Sequence, residues 1–244
     1  MNIALVGYGK MGKEVERLAV EKSHTIAARL NSQSPRVSDE ASRSIDVVIH
    51  FATPHSVVPH VEEWARRKKN LVIGTTGWQD ELPRVRTLVE QYRIGLIYAS
   101  NFSIGVNLFS SIIRHAGVAF NKFPDYDLFI HEEHHKDKVD SPSGTALSLA
   151  KVLLQVVERK KEILSSPPDG KIKPQQLHVS STRAGAIVGT HRVVFDSAAD
   201  QIELVHRAKN RSGFALGALL AAEWIRGKQG MFTMDDLVAD LFQS

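Results

Sequence analysis

The sequence predicts an α/β chain. Its first hundred or so residues form a parallel sheet flanked by helices, and an α+β region built on a mixed, mostly antiparallel sheet follows. Three observations carry this. Short apolar runs alternate five times with helical or polar crossovers up to about Ala99. A turn rich in glycine, Gly7-Tyr8-Gly9-Lys10-Met11-Gly12, stands directly between the first such run and the first helix. Beyond Ser165, three extended runs follow one another with no helix between them.

Asn2–Val6 is apolar throughout, as a strand buried on both faces must be. Met11, Val15, Leu18, Ala19 and Lys22 then fall at helical spacing, and His24–Leu30 reads as a second strand. Ser32–Ser44 is polar with little helical periodicity, so a reduced crossover is expected. Asp46–Phe51 is the third strand and Val57–Lys69 a helix, with Pro59 tolerated in its first turn. Leu71–Gly74, Asp80–Tyr92 and Gly95–Ala99 complete the alternation. Helix Ile104–Ala119, strand Tyr126–Ile130 and a long amphipathic helix Ser143–Lys161 come next. A loop, Ser165–Gln176, precedes the extended runs Leu177–Thr182, Ile187–Phe195 and Gln201–Ala208. Helices Phe214–Arg226 and Met234–Phe242 end the chain. The predicted division is 1–101 plus 213–244 for the first domain and 102–212 for the second.

Composition narrows the function. With no cysteine among 244 residues, disulfides, thiol nucleophiles and cysteine metal sites are excluded. A net charge of +4 is mild. The run Arg66-Arg67-Lys68-Lys69 reads as the basic last turn of a helix, complementing its dipole, and no aromatic residues interleave it. No nucleic-acid partner is expected. No apolar run approaches the ~18 residues of a membrane span, and the first residues lack the features of a secretory leader, so a cytoplasmic protein is expected.

Gly7, Gly9 and Gly12 form G-x-G-x-x-G in a strand–turn–helix setting, which makes the first domain Rossmann-like and dinucleotide-binding. The first glycine makes the turn, the second lets backbone approach a pyrophosphate, and the third lets helix and strand pack. Asn31 stands near the position where an acid usually grips the ribose, and Arg36 could meet a 2′-phosphate, so NAD and NADP both stay open. Gly74-Thr75-Thr76-Gly77 and Ser100-Asn101-Phe102 follow the fourth and fifth strands and should face the cofactor.

The densest polar constellation runs from His131 to Ala146. Pro142-Ser143-Gly144-Thr145 opens the helix after it, and Gly144 and Thr145 would offer backbone N–H groups to a small anion. His131-Glu132-Glu133-His134-His135 formally matches the zinc pattern H-E-x-x-H, but that pattern needs a helix and here His131 ends a strand, so no metal is expected. His24, His50, His55, His60, His115, His178, His191 and His206 read as structural or surface residues, with His50 and His55 close enough to the third strand's end to border the cofactor.

The stretch from Glu132 to Ala146 meets every fixed position of E-x-H-H-x-x-K-x-D-x-P-S-G-T-A. In this the chain resembles the 4-hydroxy-tetrahydrodipicolinate reductase (dihydrodipicolinate reductase) family. The similarity takes in Gly7–Gly12, Gly74-Thr75-Thr76, Ser100–Asn107, Arg183-Ala184-Gly185 with Val188-Gly189, and the closing helices. The resemblance implies NADH or NADPH as cofactor and a cyclic imine dicarboxylate as substrate, in lysine and diaminopimelate synthesis. It implies that His134 and Lys138 are catalytic proton donors, that His135 binds substrate, and that Gly144 and Thr145 cradle a substrate carboxylate. It assigns cofactor contacts to Gly7, Tyr8, Gly9, Lys10, Met11, Gly12, Asn31, Gly74, Thr75, Thr76, Ala99, Ser100, Asn101 and Phe102. A homotetramer formed through the second domain's sheet is implied as well. Read without the resemblance, the residues leave open another nucleotide-dependent dehydrogenase, a metal-dependent hydrolase using His131 and His135, and a non-catalytic redox sensor.

Overall fold

The computed structural model describes residues 1–34, 36–165 and 170–243, in two compact units. Met1–Asn107 and Arg211–Ser244 make the first, and Leu108–Asn210 the second.

The first unit is built on a six-stranded, all-parallel sheet. In chain order the elements are β1 (Asn2–Val6), α1 (Lys10–Glu21), β2 (Thr25–Leu30), α2 (Asp39–Arg43), β3 (Val47–His50), α3 (Val57–Arg66), β4 (Asn70–Ile73), α4 (Leu82–Tyr92) and β5 (Gly95–Tyr98). After the second unit come α7 (Ser212–Trp224), β11 (Gly230–Phe232) and α8 (Met234–Gln243). The strand order is β11-β5-β4-β3-β1-β2. Ala4, Val6, Val48, Leu71 and Ile73 pack with Val61, Trp64 and Ala65 of α3 and Val85 and Val89 of α4. The alternate residues Ile3, Leu5, Val47, Ile49, Val72 and Ile97 are equally buried, and by the pleat they face the opposite layer. There α7 packs on β3 and β4 and against α1.

The second unit holds α5 (Ile104–Asn121, whose first turn belongs to the first unit), β6 (Asp127–His134), α6 (Gly144–Val156), β7 (Glu162–Leu164), β8 (Gln176–Arg183), β9 (Thr190–Asp196) and β10 (Gln201–Arg207). Its sheet has the order β10-β9-β6-β8-β7. Leu128, Ile130, Leu177, Val179, Val193 and Phe195 bury one face against Phe109 and Ile113 of α5 and Leu149, Ala150 and Leu153 of α6.

Several elements differ from expectation. Ser32–Ser44 contains α2, capped by Ser38 Oγ accepting the Ala41 N–H at 3.1 Å, and too short to show periodicity. β11 has no counterpart among the predicted elements; its three residues cover the edge of β5. Helix α6 stops at Val156, not Lys161, because Val157 turns extended. Lys160 is then buried, its ammonium 2.8 Å from the Gln176 carbonyl and 2.6 Å from Asp127 Oδ1, and β7 follows. β6 runs on through His131–His134 instead of ending at Ile130. The three consecutive extended runs are not a meander, because β6 lies between β8 and β9. It pairs parallel with β8 and antiparallel with β9, so parallel and antiparallel pairings are equally represented in this mixed sheet. Residues 166–169 of the predicted Ser165–Gln176 loop lie outside the described residues. Among the described residues no helix is long and apolar enough to cross a membrane.

Candidate active site

In the first unit the strand order reverses between β1 and β3, since β2 lies on one side of β1 and all later strands on the other. Such a switch point leaves a crevice at the carboxyl ends of the strands. Gly7 sits there with φ +91°, and a Cβ on it would lie 2.2 Å from the Phe51 carbonyl oxygen after β3. A Cβ on Gly12 would lie 2.3 Å from the Gly7 oxygen, so the turn and α1 close on each other only without side chains. Gly9 is different: nothing lies within 4 Å of where its Cβ would be. It caps α1 with no side-chain hydrogen bond, and no acid stands in the first turn formed by Lys10, Met11 and Gly12. This leaves an open, unsealed helix N-terminus, the environment a pyrophosphate needs.

The other predicted cofactor residues follow the carboxyl ends of the first unit's strands. Tyr8 hydrogen-bonds Glu16 of α1, which also pairs with Arg29 of β2. Asn31 spends its side-chain oxygen on its own loop, accepting the Gln33 and Ser34 N–H groups at 2.8 and 2.9 Å. Gly74 packs against the Phe51 ring and permits no side chain. Thr75 is buried, its hydroxyl 2.8 Å from His50 Nδ1 and accepting the Ala52 N–H at 3.0 Å, while Thr76 is exposed. Beyond β5, Ala99 donates to the Ile73 carbonyl, Ser100 is exposed, and Asn101 Oδ1 accepts the Ser103 N–H at 2.9 Å. Phe102 is buried, edge-on to Phe51. His50 thus holds Thr75 in place, and the pair His50–His60 (3.1 Å) backs it.

In the second unit the pleat of β6 sorts the polar cluster. Glu132 and His134 point to the buried face, and His131 and Glu133 to the other. His131 meets Ser180 Oγ at 2.8 Å, and His135 lies beyond the strand's end. The helical zinc pattern is therefore not formed.

Glu132 is fully buried. Its Oε1 accepts from the Ser143 N–H at 2.7 Å, Ser181 Oγ at 2.9 Å and Arg183 Nη2 at 2.7 Å. Its Oε2 faces His134 Nδ1 at 3.3 Å and His191 Nε2 at 3.5 Å. Burial pushes this carboxyl up, but the approach of His191 and the hydrogen bonds from Ser143 and Arg183 outweigh it and hold the group well below the usual carboxylate range. His134 is 8% exposed, and burial pulls it down to about 4 against the pull of Glu132. Glu132, His134 and His191 bring three ligand atoms within 4.8 Å of one another. The guanidinium of Arg183 on the same carboxylate already supplies the cation that such a cluster would otherwise seek.

Two of the residues predicted to serve the substrate, Lys138 and Gly144, meet at Asp140. Lys138 Nζ is 2.6 Å from Asp140 Oδ1, and the Gly144 N–H donates to Oδ2 at 3.3 Å. Lys138 holds the Asp140 carboxyl below its usual range. The chain's own carboxylate thus rests on two of the donors expected for a substrate carboxylate. Thr145 follows in the first turn of α6, whose cap is Ser143. Sequence reasoning missed Glu132, Asp140 and His191 as members of this site. The signal for Glu132 was its two-residue spacing from His134 on one strand.

A parallel sheet with an open glycine turn at its switch point, and a second sheet presenting a basic helix start beside a shielded histidine, define an oxidoreductase that uses a nicotinamide dinucleotide on a small molecule. The fold recurs in an engineered D-amino acid dehydrogenase bound to NADP+, at 13% identity, a TM-score of 0.54 and 98% of each chain covered. More specifically, the chain belongs to the dihydrodipicolinate reductase family: residues 1–102 match the family's N-terminal model and 105–238 its C-terminal one. It is 37% identical over all 244 residues, 100% of both chains, to the 4-hydroxy-tetrahydrodipicolinate reductase of Christiangramia forsetii. It is 32% identical to that of Neisseria meningitidis, with 91% of this chain and 83% of the relative covered. A dipicolinate-bound dihydrodipicolinate reductase from a Paenisporosarcina species superposes with a TM-score of 0.77 at 25% identity, covering 96% of this chain and 97% of that one.

Proposed function

We propose that the chain reduces 4-hydroxy-tetrahydrodipicolinate to tetrahydrodipicolinate in lysine and diaminopimelate synthesis, as a cytoplasmic homotetramer formed through the second unit's sheet. The observation that carries the reading is Asp140 resting on Lys138 and the Gly144 N–H, beside His134. Those donors take a carboxylate of the substrate in its place, with Thr145 extending the helix start and His135 contributing a further polar contact. The open turn at Gly7–Gly12 holds the pyrophosphate, and Asn31, Gly74–Thr76 and Ala99–Phe102 line the rest of the cofactor site. When bound there, the nicotinamide dinucleotide supplies a hydride. Because no acid ends β2, no carboxylate at that position repels a 2′-phosphate, and the Asn31 amide nitrogen remains a donor to either ribose form, so both NADH and NADPH serve.

Hydride arrival at the unsaturated imine leaves charge that accumulates toward the ring nitrogen, and a proton must quench it. His134 delivers that proton, and Lys138 stabilises the charge beside it. In the free chain burial keeps the His134 ring neutral. A dianionic substrate on the Lys138–Gly144 cradle favours the charged ring, so the donor is loaded when substrate is present.

The test follows oxidation of NADH and of NADPH by absorbance. Substrate is formed in place from pyruvate and aspartate semialdehyde by the preceding synthase, with and without chelator. Rapid, chelator-insensitive oxidation with both cofactors is expected. His134→Gln should lower kcat about 10²-fold or more and leave cofactor affinity unchanged. Absence of oxidation by a chain that binds cofactor would overturn the reading, and wild-type kcat in His134→Gln would remove His134 from its role.

A further inference from the structure

We propose that Glu132 is a positioning residue for this reaction: its buried carboxylate holds the ring hydrogen of His134 on Nδ1 and so makes Nε2 the atom that gives up the proton. The inference rests on the reductase reading.

The geometry comes from two residues of one strand. Glu132 and His134 are adjacent on the buried face of β6, and the His134 main chain is pinned by the Ala184 N–H at 2.9 Å from its carbonyl. Glu132 Oε1 already accepts three hydrogen bonds. Its Oε2 and His134 Nδ1 are both sealed from solvent, and neither has a well-formed hydrogen bond. They lie 3.3 Å apart. A buried acceptor and a buried ring nitrogen at that distance satisfy each other only if the hydrogen sits on Nδ1. His191 Nε2 also approaches Oε2, but it has an alternative partner in Ser143 Oγ at 3.3 Å. Since Nδ1 is shielded, a proton passing to substrate leaves from Nε2, which lies beside Gly189; a Cβ there would come within 2.9 Å of it.

The charges around the ring give Glu132 a second task. Arg183 on β8, Lys138 after β6 and His191 on β9 all disfavour a charged His134, with His206 of β10 standing behind His191. Glu132 is the negative group that favours it. One carboxylate thereby ties the start of α6, through the Ser143 N–H, to the orientation and charge of the proton donor.

Nitrogen-15 NMR of the wild-type histidine rings, recorded where His134 is neutral, tests the first part without any substitution. The Nδ1–H form is expected, and an Nε2–H form overturns the proposal. Glu132→Gln tests the second part. Its amide oxygen can keep the partners of Oε1, while its NH2 group faces Nδ1 and demands a lone pair there. Turnover should fall about 10²-fold, the magnitude of general acid catalysis. The limb of kcat that falls with rising pH should move to lower pH, and binding of pyridine-2,6-dicarboxylate should change by less than about threefold. Loss of turnover and of ligand binding together, with the limb in place, would show a purely structural role and overturn the proposal. If wild-type enzyme oxidises no cofactor, the reductase reading fails by itself, and the NMR result still decides the placement of the hydrogen.

Discussion

Replacing Arg183 by Met removes a permanent cation from a carboxylate that water does not reach. Glu132 is fully buried, and the Arg183 side chain is 17% exposed, with Nη2 2.7 Å from Oε1. Taking away one partner of a buried ion pair costs about 3–5 kcal/mol, because the other charge is left uncompensated. Two neutral donors, the Ser143 N–H and Ser181 Oγ, stay on Oε1 and place the expected loss near ~3 kcal/mol. For a chain of this size that lowers Tm by about 6–12 °C. The loss depends on pH with a definite sign. The folded carboxyl titrates below its unfolded value, so the stability it contributes is present above an unfolded pKa near ~4.3 and is lost as pH falls toward the folded value. Without the guanidinium the carboxyl is held down less firmly against burial, so the variant protonates at a higher pH than wild type and its deficit shrinks with acidification. Urea unfolding of both proteins at pH 7 and pH 4.5 measures this. A deficit under about 1 kcal/mol at pH 7, or one that does not shrink by pH 4.5, would refute the reasoning.

Gly189→Ala sets a methyl group 2.9 Å from His134 Nε2 and displaces the donor. Turnover should fall about tenfold with cofactor affinity unchanged, read by steady-state kinetics and nucleotide fluorescence titration; wild-type turnover would show that the ring tolerates the shift. His50→Gln removes a fully buried imidazole that burial pulls down to about 3, below its unfolded value. The wild-type stability held above pH ~6.5 is therefore lost on acidification, by about 3 kcal/mol at pH 4. The variant should lose that much less between pH 7 and pH 4 in denaturant titrations, and equal losses would refute it.

Much of this architecture is legible in the sequence because local and global signals agree. β1, the glycine turn and α1 are legible because Gly7 must take φ +91° and Gly12 must be bare, which only glycine does without strain. β11 is not, since three residues between two helices carry no period. The end of α6 is not legible, because Val152, Leu153, Val156 and Val157 hold a helical spacing and Glu158-Arg159-Lys160-Lys161 are all helix formers; burial of Lys160 against Asp127 and Gln176 decides otherwise. β6 is legible only as far as Ile130, because charged residues do not look like strand, yet its alternation of buried and half-buried positions continues through Glu132 and His134. His191 could not be recognised alone. Its place opposite Glu132 is a fact of the β6–β9 register, which depends on pairing between distant segments. The predicted donors Lys138 and Gly144 were brought together, but their present partner, Asp140, was not anticipated.

The first unit's sheet is finished by the last part of the chain. Its edge strand β5 lies before the second unit, while β11, which covers that edge, and α7, which roofs β3 and β4, lie after it. During synthesis the inserted unit therefore emerges whole while the flanking one still has an uncovered apolar layer and an open strand edge. Such an edge is a template for pairing with other chains. The order of emergence leaves the nascent protein prone to aggregation from the completion of β5 until the arrival of Gly230–Phe232, and a chain cut before Ser212 lacks both the strand and the helix that complete its first sheet.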